Sequence, residues 1–316
     1  MDTPRRLIGI DVAKLHLDVA DNRTAHIERF TNDPSGLTSL VTALAGDPPS
    51  LVVVEATGGY EADLVGALQA ADMPVAVVNP RFVRAFAISS GRLAKTDRLD
   101  ARLLVAFAQA HNPRPLPRLD PHISQLAEFV ARRRQIIDML VAERNRLEHV
   151  SGPVHAWIRD NIASLKNQLV QVDAALALAI TAQPHLRQRH ALLRSVPGVG
   201  NAVATVLTAE LPELGTIDHK KIAALVGVAP VADDSGTQHR ERHIAGGRTS
   251  VRCAIYMAAL VGVRHNPVLK TFYDRLRKDG KRRKVALVAA MRKLTAILNA
   301  IARSGQPWRI PAQDGC

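Results

Sequence analysis

The chain has 316 residues, 47% of them hydrophobic, which is enough for two domains with their own cores and excludes a disordered chain. Its two cysteines, Cys253 and Cys316, exclude a disulfide framework and a thiolate metal site, and an aromatic content of 3% excludes a binding platform of many stacked rings. The formal net charge is +13, yet basic and acidic residues balance over 1–185, so the whole excess lies in 186–316 and points to a polyanionic partner.

The N-terminus, MDTPRRLIGID, has no apolar run of signal-peptide length, and no stretch of about 18 uninterrupted apolar residues follows. A cytoplasmic protein without a membrane partner is expected. RLIGID is a short apolar run, LHLDVA alternates, and AHIERF alternates again after the turn-like DNRT. Residues 35–44 predict a helix and LVVVEA a buried strand, and TGGYEADLVGALQAA predicts a turn and an amphipathic helix. MPVAVVN is a further buried strand, and a helix begins near Thr96. The order β-β-β-α-β-α-β-α, with acids ending the first and fourth strands, predicts an α/β RNase H-like sheet; a plain doubly wound sheet is the competitor.

NPRPLPRLDP (112–121) reads as a linker, because its prolines cannot continue a helix. From His122 a heptad-like pattern runs through Ile123, Leu126, Val130, Ile137, Leu140 and Leu147, with Arg133 and Arg144 at seam positions. After a break at 151–153 it resumes at Ile158, Ile162, Leu165, Leu169, Val172 and Leu176. A long helical hairpin follows, either carrying a partner helix or packing on a neighbouring domain. The expected organisation is therefore 1–115, an α/β domain; 116–185, a helical connector; and 186–316, a basic, mainly helical domain.

In KTDRLDARLL, Asp97 and Asp100 stand at i and i+3, on one face of the predicted helix. A cap by Thr96 and the helix dipole would explain Asp97, but they explain Asp100 poorly. Asp11 follows LIGI and Glu55 follows LVVV, each at the end of a buried strand. In an RNase H-like sheet these strands are neighbours and the helix packs beside them, so four carboxylates converge. Hard oxygen ligands suit Mg²⁺ or Mn²⁺, and a two-metal site would clamp the oxygens of a phosphodiester. Asp18, Glu61 and Asp63 are expected to be solvated.

In the basic region, LLRSVPGVGNAVATVLTAEL (192–211) has the form of a helix-hairpin-helix, in which Gly198 and Gly200 permit a tight turn whose N–H groups hold backbone phosphate. Arg275, Arg277, Lys278, Lys281, Arg282, Arg283 and Lys284 form a second candidate nucleic-acid surface, with a merely solvated basic patch as the alternative. His239 and His243, four apart in HRERH, lack the glutamate of the metalloprotease motif and read as polar surface or phosphate contacts.

IGIDVAK, VVVEATGGY, VNP, KTDRLDARLLVAF, SVPGVG, AALVGVAP, SG and GGRTSVRCAIYMAAL, in this order, resemble the insertion-sequence transposases with a DEDD RuvC-like domain and a serine-bearing C-terminal domain. That family includes bridge-RNA-guided recombinases and related DNA invertases. The resemblance implies that Asp11, Glu55, Asp97 and Asp100 are catalytic metal ligands and that Ser235 in DDSG is the nucleophile. It further implies a DNA recombinase acting on element ends and target, a structured guide RNA, and a homo-oligomer, dimer or tetramer, in which the acids of one subunit meet the serine of another. Thr237 fits a second hydroxyl common in the family, whereas Arg248 stands where many members have lysine; arginine still binds phosphate bidentately. Ser250 is the chief rival nucleophile, and Tyr256 a weaker one because its apolar flanks suit a buried position. Competing functions are a metal-dependent structure-specific nuclease or an invertase without RNA, a non-catalytic architectural protein, and an actin-like sugar kinase, for which GGR at 246–248 is a poor phosphate loop.

Overall fold

A computed structural model of the protein describes residues 5–91, 97–118, 120–231, 234–235, 238–239 and 243–309, with the side chains of 97–99, 234–235 and 238–239 outside the description. The chain divides into two compact units, Met1–Arg118 and Leu119–Cys316.

In the first unit, β1 (Leu7–Val12), β2 (His16–Asp21) and β3 (Ile27–Thr31) are followed by α1 (Pro34–Ala45), β4 (Leu51–Glu55), α2 (Ala62–Ala70), β5 (Val75–Val78), α3 (Pro80–Ser89) and α4 (Asp97–His111). The sheet order is β3-β2-β1-β4-β5. β1 pairs antiparallel with β2 and parallel with β4, as the RNase H-like arrangement requires. Continuous apolar runs in β1 and β4 follow from burial on both faces. One face, with Ile8, Ile10, Val52 and Val54, packs on Leu37, Leu40, Leu64 and Leu68 of α1 and α2. The other, with Leu7, Leu51, Val53 and Ala76, packs on α3 and α4 through Val83, Leu104 and Phe107.

The helix α3 is absent from the sequence reading, although its start signal is local. The Asn79 side chain accepts from Arg81 N at 2.9 Å, and Pro80 fills the first turn, where no N–H is required.

Gly9 sets the depth of α4. A Cβ there would lie 2.3 Å from Ala101 O, 2.8 Å from Val105 N and 2.9 Å from Leu104 Cβ, so the helix backbone rests on the strand backbone. The direction of the crossing is fixed at its far end, where Arg5 Nη1 donates to Asn112 Oδ1 at 3.3 Å and Leu7 packs with Phe107 and Ala108. Residues 107–112 thus lie at the start of β1, 101–105 lie over its middle, and the first turn of α4 lies toward Asp11.

The second unit opens with a hairpin of α5 (Pro121–Leu147) and α6 (Gly152–Ala182). Its seam buries Leu126, Val130, Ile136 and Leu140 against Ile162, Leu165, Leu176 and Ile180. Ile136, fully buried, takes the place expected for Ile137. Arg133 is tolerated at the seam because its Nε reaches Asp173 Oδ1 at 2.6 Å, while Arg144 is exposed. The hairpin also packs on Val206 and Ala209, so it is continuous with the helical unit and does not stand as a separate connector.

There follow α7 (Pro184–Arg194), α8 (Asn201–Glu210) and α9 (His219–Val226), the short strands β6 (Pro230–Val231), β7 (Asp234–Ser235), β8 (Gln238–His239) and β9 (His243–Ile244), then α10 (Thr249–His265), α11 (Pro267–Lys278) and α12 (Arg283–Ser304). α12 is long and apolar enough by composition to cross a membrane. Its Leu287, Met291, Leu294 and Leu298 instead join Leu207, Ile222, Val251 and Ile255 in the core of this unit.

Substituting Gly9→Ala should lift α4 from β1 and lower unfolding free energy by about 1–3 kcal/mol, as overpacking against an immobile backbone does. Chemical denaturation of the full chain checks this; an unchanged midpoint would show that α4 does not depend on the close approach.

Candidate active site

The strand register brings two of the four expected acids side by side. Ile10 is paired with Val54 in the parallel β1–β4 ladder, and Asp11 and Glu55 are each one residue farther on. Both are half-buried. They share the face of Gly9 and Val53, because side chains two apart along a strand point the same way. This is the face covered by α4, whose first turn carries Asp97 and the half-buried Asp100 and lies toward Asp11. Only the backbone of Asp97 is described. Among the described residues no three His, Cys, Asp or Glu side chains stand close enough to hold a metal ion. The donor set itself, carboxylate oxygens without sulfur or imidazole, fits a hard divalent cation.

The three acids expected to be solvated differ from one another. Asp63 is exposed. Glu61 holds the loop after Glu55: its Oε2 accepts from Thr57 Oγ1 at 2.7 Å, Gly59 N at 2.9 Å and Thr57 N at 3.2 Å. Burial alone would raise its carboxyl, but the Thr57 hydroxyl and the backbone donors outweigh it and leave the group below its ordinary value. Asp18 is not solvated: it is 1% exposed, and both its oxygens are engaged by Arg29, Oδ1 by Nε and Oδ2 by Nη2, each at 2.7 Å.

In the second unit, Ser235 lies on a ribbon of paired strands. β6 pairs antiparallel with β9, and farther out Asp234 and Ser235 pair with His239 and Gln238. The ribbon leaves the helical core between two glycines. A Cβ on Gly247 would lie 2.3 Å from Gly227 N, and both have positive φ, 72° and 76°. Only glycine meets both conditions. The Ser235 side chain, Thr237 and residues 240–242 of HRERH fall outside the described residues. His239 and His243 occupy strands β8 and β9, not the helix on which a zinc pair four apart would be built.

Arg248, expected to contact phosphate, is engaged inside the domain. Its Nη1 and Nη2 donate to Glu213 Oε2 and Oε1 at 2.7 and 2.6 Å, and Nη1 also reaches Glu210 O at 2.9 Å. This fork would have to open before Arg248 could hold a phosphate. The rival Ser250 donates to Glu210 Oε2, a carboxylate that also meets Arg134 Nη1 at 3.3 Å. Tyr256 is exposed on α10, contrary to the buried position expected from its flanks.

α7 and α8 form a helix-turn-helix pair around residues 195–200. Its glycines have different duties. Gly198, at φ 103°, faces α10, where a Cβ would lie 2.8 Å from Ala258 O and Gly262 Cα. Gly200 is exposed and is the N-cap of α8, whose first turn has no side-chain cap. Arg275, Arg277, Lys278, Lys281, Arg282, Arg283 and Lys284 are all exposed at the α11–α12 junction. Two cations missed in the sequence join this surface. Lys293 lies 4.6 Å from the Phe272 ring centre, and Arg292, Lys293 and Lys284 border a 580 Å³ groove walled by Val228, Ile244, Val285 and Val288. Arg292 and Lys293 stand on α12 eight and nine residues beyond Lys284, roughly 80° and 180° round the helix from it, so no helical period marked them in the sequence.

A family model described as "Transposase", the DEDD type of IS110, matches residues 8–150, and one described as "Transposase IS116/IS110/IS902 family" matches 190–274. Two relatives called "Pilin gene-inverting protein" are similar over nearly their whole length. That of Moraxella bovis is 32% identical over 95% of this chain and 97% of its own, and that of Moraxella lacunata is 31% identical over the same shares. An IS110 protein of Streptomyces coelicolor is 31% identical over 48% of this chain and 39% of its own. Thermus thermophilus RuvC, solved with a Holliday junction substrate, matches 35% of this chain and 99% of its own at 17% identity and a TM-score of 0.28.

For Glu213, burial alone would raise the carboxyl, but the Arg248 hydrogen bonds and charge, with Arg189, outweigh it and hold it below 4.5. A depressed folded value stabilises the fold above the unfolded value, and that gain is lost as pH falls through the folded one. Glu213→Gln should therefore cost about 1–2 kcal/mol at pH 7, allowing for solvent at Arg248. Thermal melts should show the gap from wild type narrowing below pH 4.5; a gap constant with pH would refute the pairing.

Proposed function

The chain belongs to the IS110 family of transposases, DNA-processing enzymes, and from that premise we propose that it is a recombinase that excises and inserts a mobile element through a serine nucleophile, with a structured guide RNA selecting the sites. The observation that supports the proposal is the register at one end of the sheet: Asp11 and Glu55 stand abreast on parallel strands, and Gly9 admits the helix whose sequence bears Asp97 and Asp100. These four acids would hold Mg²⁺ or Mn²⁺. When bound, the cation supplies neutralisation of phosphate charge and stabilisation of a departing oxygen.

Ser235 contributes the other half of the chemistry. Its Oγ attacks phosphorus, the P–Oγ bond forms as the bond from phosphorus to one deoxyribose oxygen breaks, and the hydroxyl proton passes to solvent while the departing oxygen takes one up. The resulting phosphoserine keeps a phosphodiester, so the free DNA hydroxyl of another strand can displace Ser235 and reseal the backbone without a nucleotide cofactor. The close Gly227–Gly247 crossing supports this role, because it fixes where the ribbon leaves the core. The proposal requires the acids and the serine to meet at one phosphate within a dimer or tetramer.

Nucleic acid is gripped by the α8 N-terminus at Gly200 and by the seven cations of 275–284, groups that hold backbone and leave sequence choice to base pairing with the guide. Gly198 supports the turn from inside.

Incubation with element-end DNA and Mg²⁺, followed by denaturation, should trap a protein–DNA adduct that is absent in Ser235→Ala and in Asp11→Asn. Cleavage that persists in Ser235→Ala with no adduct would establish a water-driven nuclease instead. Reversing Lys281, Arg282, Arg283 and Lys284 to Glu should weaken DNA binding and flatten its salt dependence by roughly 0.9 per lost phosphate contact in the log–log slope. An unchanged slope would show that the patch is only solvated.

A further inference from the structure

A charged row crosses the sheet beside the acids already described. Arg29 on β3 is in register with Asp18 on β2, Asp18 is in register with Asp11 on β1, and Glu55 is next in line on β4. All four lie on the α4 face. Asp11 shares it with Gly9, Asp18 with Ala20 and Arg29 with Ile27, and Ala20 and Ile27 pack against Ala101 and Val105 of α4.

Asp18 is anomalous for its position. Its neighbours Leu17, Val19 and Ala20 are buried and apolar, and Asp18 itself is 1% exposed. Only the carboxylate of this pair is buried, the Arg29 side chain being 53% exposed, so Asp18 bears the desolvation cost of a buried charge against a partner partly screened by solvent, and stability gives little reason for a charge here. Nor is a second carboxylate opposite Asp11 neutral in effect. Directly opposed residues on antiparallel strands hold their Cβ atoms about 4.5–5.5 Å apart, and like charges at that separation are unfavourable. Asp18 is held by a fork: Nε and Nη2 of Arg29 take one oxygen each at 2.7 Å. Both Asp18 oxygens are thereby drawn toward β3, while the charge stays beside Asp11.

We infer that Asp18 and Arg29 are a positioning pair for the cation site: Asp18 adds negative potential at Asp11 without serving as a ligand, and Arg29 keeps it oriented away from the cation. This rests on the assignment of the acids to a divalent cation. Without Asp18, the Arg29 charge would remain two strands from Asp11 and would oppose cation binding. Without the Arg29 charge, Asp18 would be left to reinforce binding. The two substitutions therefore have opposite signs at the site, whereas a purely structural pair would give the same sign for both.

The test is titration of the full-length protein with MnCl₂ by calorimetry, with melting curves and far-UV circular dichroism on each variant. Asp18→Asn should weaken Mn²⁺ binding about tenfold, the scale of losing a group that supports a metal ligand. Arg29→Lys, which keeps the charge, should stay within about twofold of wild type, and Arg29→Met should bind as tightly or more tightly, even if both melt earlier. Equal Mn²⁺ affinity in wild type and Asp18→Asn would overturn the inference, as would weakening of similar size in Asp18→Asn and Arg29→Met. Failure of the underlying assignment looks different: Mn²⁺ would then bind neither more nor less tightly in Asp11→Asn than in wild type.

Discussion

The close approach of α4 to β1 at Gly9 is the constraint on which the acid-bearing end of the first unit depends. A helix packed on a sheet normally rides on side chains, at a spacing set by their size. Here the strand offers no side chain, and Ala101 O would meet a Cβ at 2.3 Å. The small Ala101 and the buried Leu104 and Val105 complete the contact on the helix side. Lowering the helix by the depth of one side chain brings its first turn to the level of the strand ends. Carboxylates as short as aspartate can then share a site with Asp11; a helix riding higher would need glutamates.

The second unit solves a comparable problem with a pair of glycines. Gly227 ends α9 in the left-handed conformation, its N–H returning to Ala224 O at 3.0 Å, and Gly247 crosses it before α10 begins. Around that crossing the polar groups are paired inward: Arg248 with Glu213, Ser250 with Glu210, and the Arg252 guanidinium with Gly246 O. The base of the ribbon is thus tied to the core on both sides. Farther out, β7 and β8 pair at Asp234–His239 and Ser235–Gln238, and this ribbon carries the serine proposed above as the nucleophile.

Much of this was legible in the sequence, because alternation and apolar runs are local. IGID and VVVE ended their strands where expected, and the β1–β4 adjacency follows once the order β-β-β-α-β is read. What was not legible depended on partners distant along the chain. Asp18 looks solvated because HLDVAD alternates, and its partner Arg29 is visible only through the β2–β3 register. Arg248 looks available until Glu213, on the loop after α8, is seen to hold it. Ile136 and Ile137 are equivalent to a heptad count, and the crossing of α5 with α6 chose the former. Two signals were local and passed unread: Asn79-Pro80 as a helix start, and a glycine inside the first strand as the mark of a backbone approached closely by another.

These cases share a physical cause. Each residue that the sequence misplaced carries a charge or a helix face whose energy is set by a neighbour, whereas each correctly placed strand is set by burial alone. In the first unit, the apolar core accounts for the sheet and for the helices on its two faces, but gives no reason for a buried aspartate or for a strand glycine that costs backbone entropy. Both are explained by the same requirement, a compact negative site at one end of β1. Gly9 forfeits side-chain packing so that a helix can bring acids to that end, and Asp18 forfeits apolar burial so that a charge can stand beside Asp11. Two separate departures from the packing rules, on neighbouring strands and directed at the same end of β1, are better evidence for a site than the acids taken one at a time.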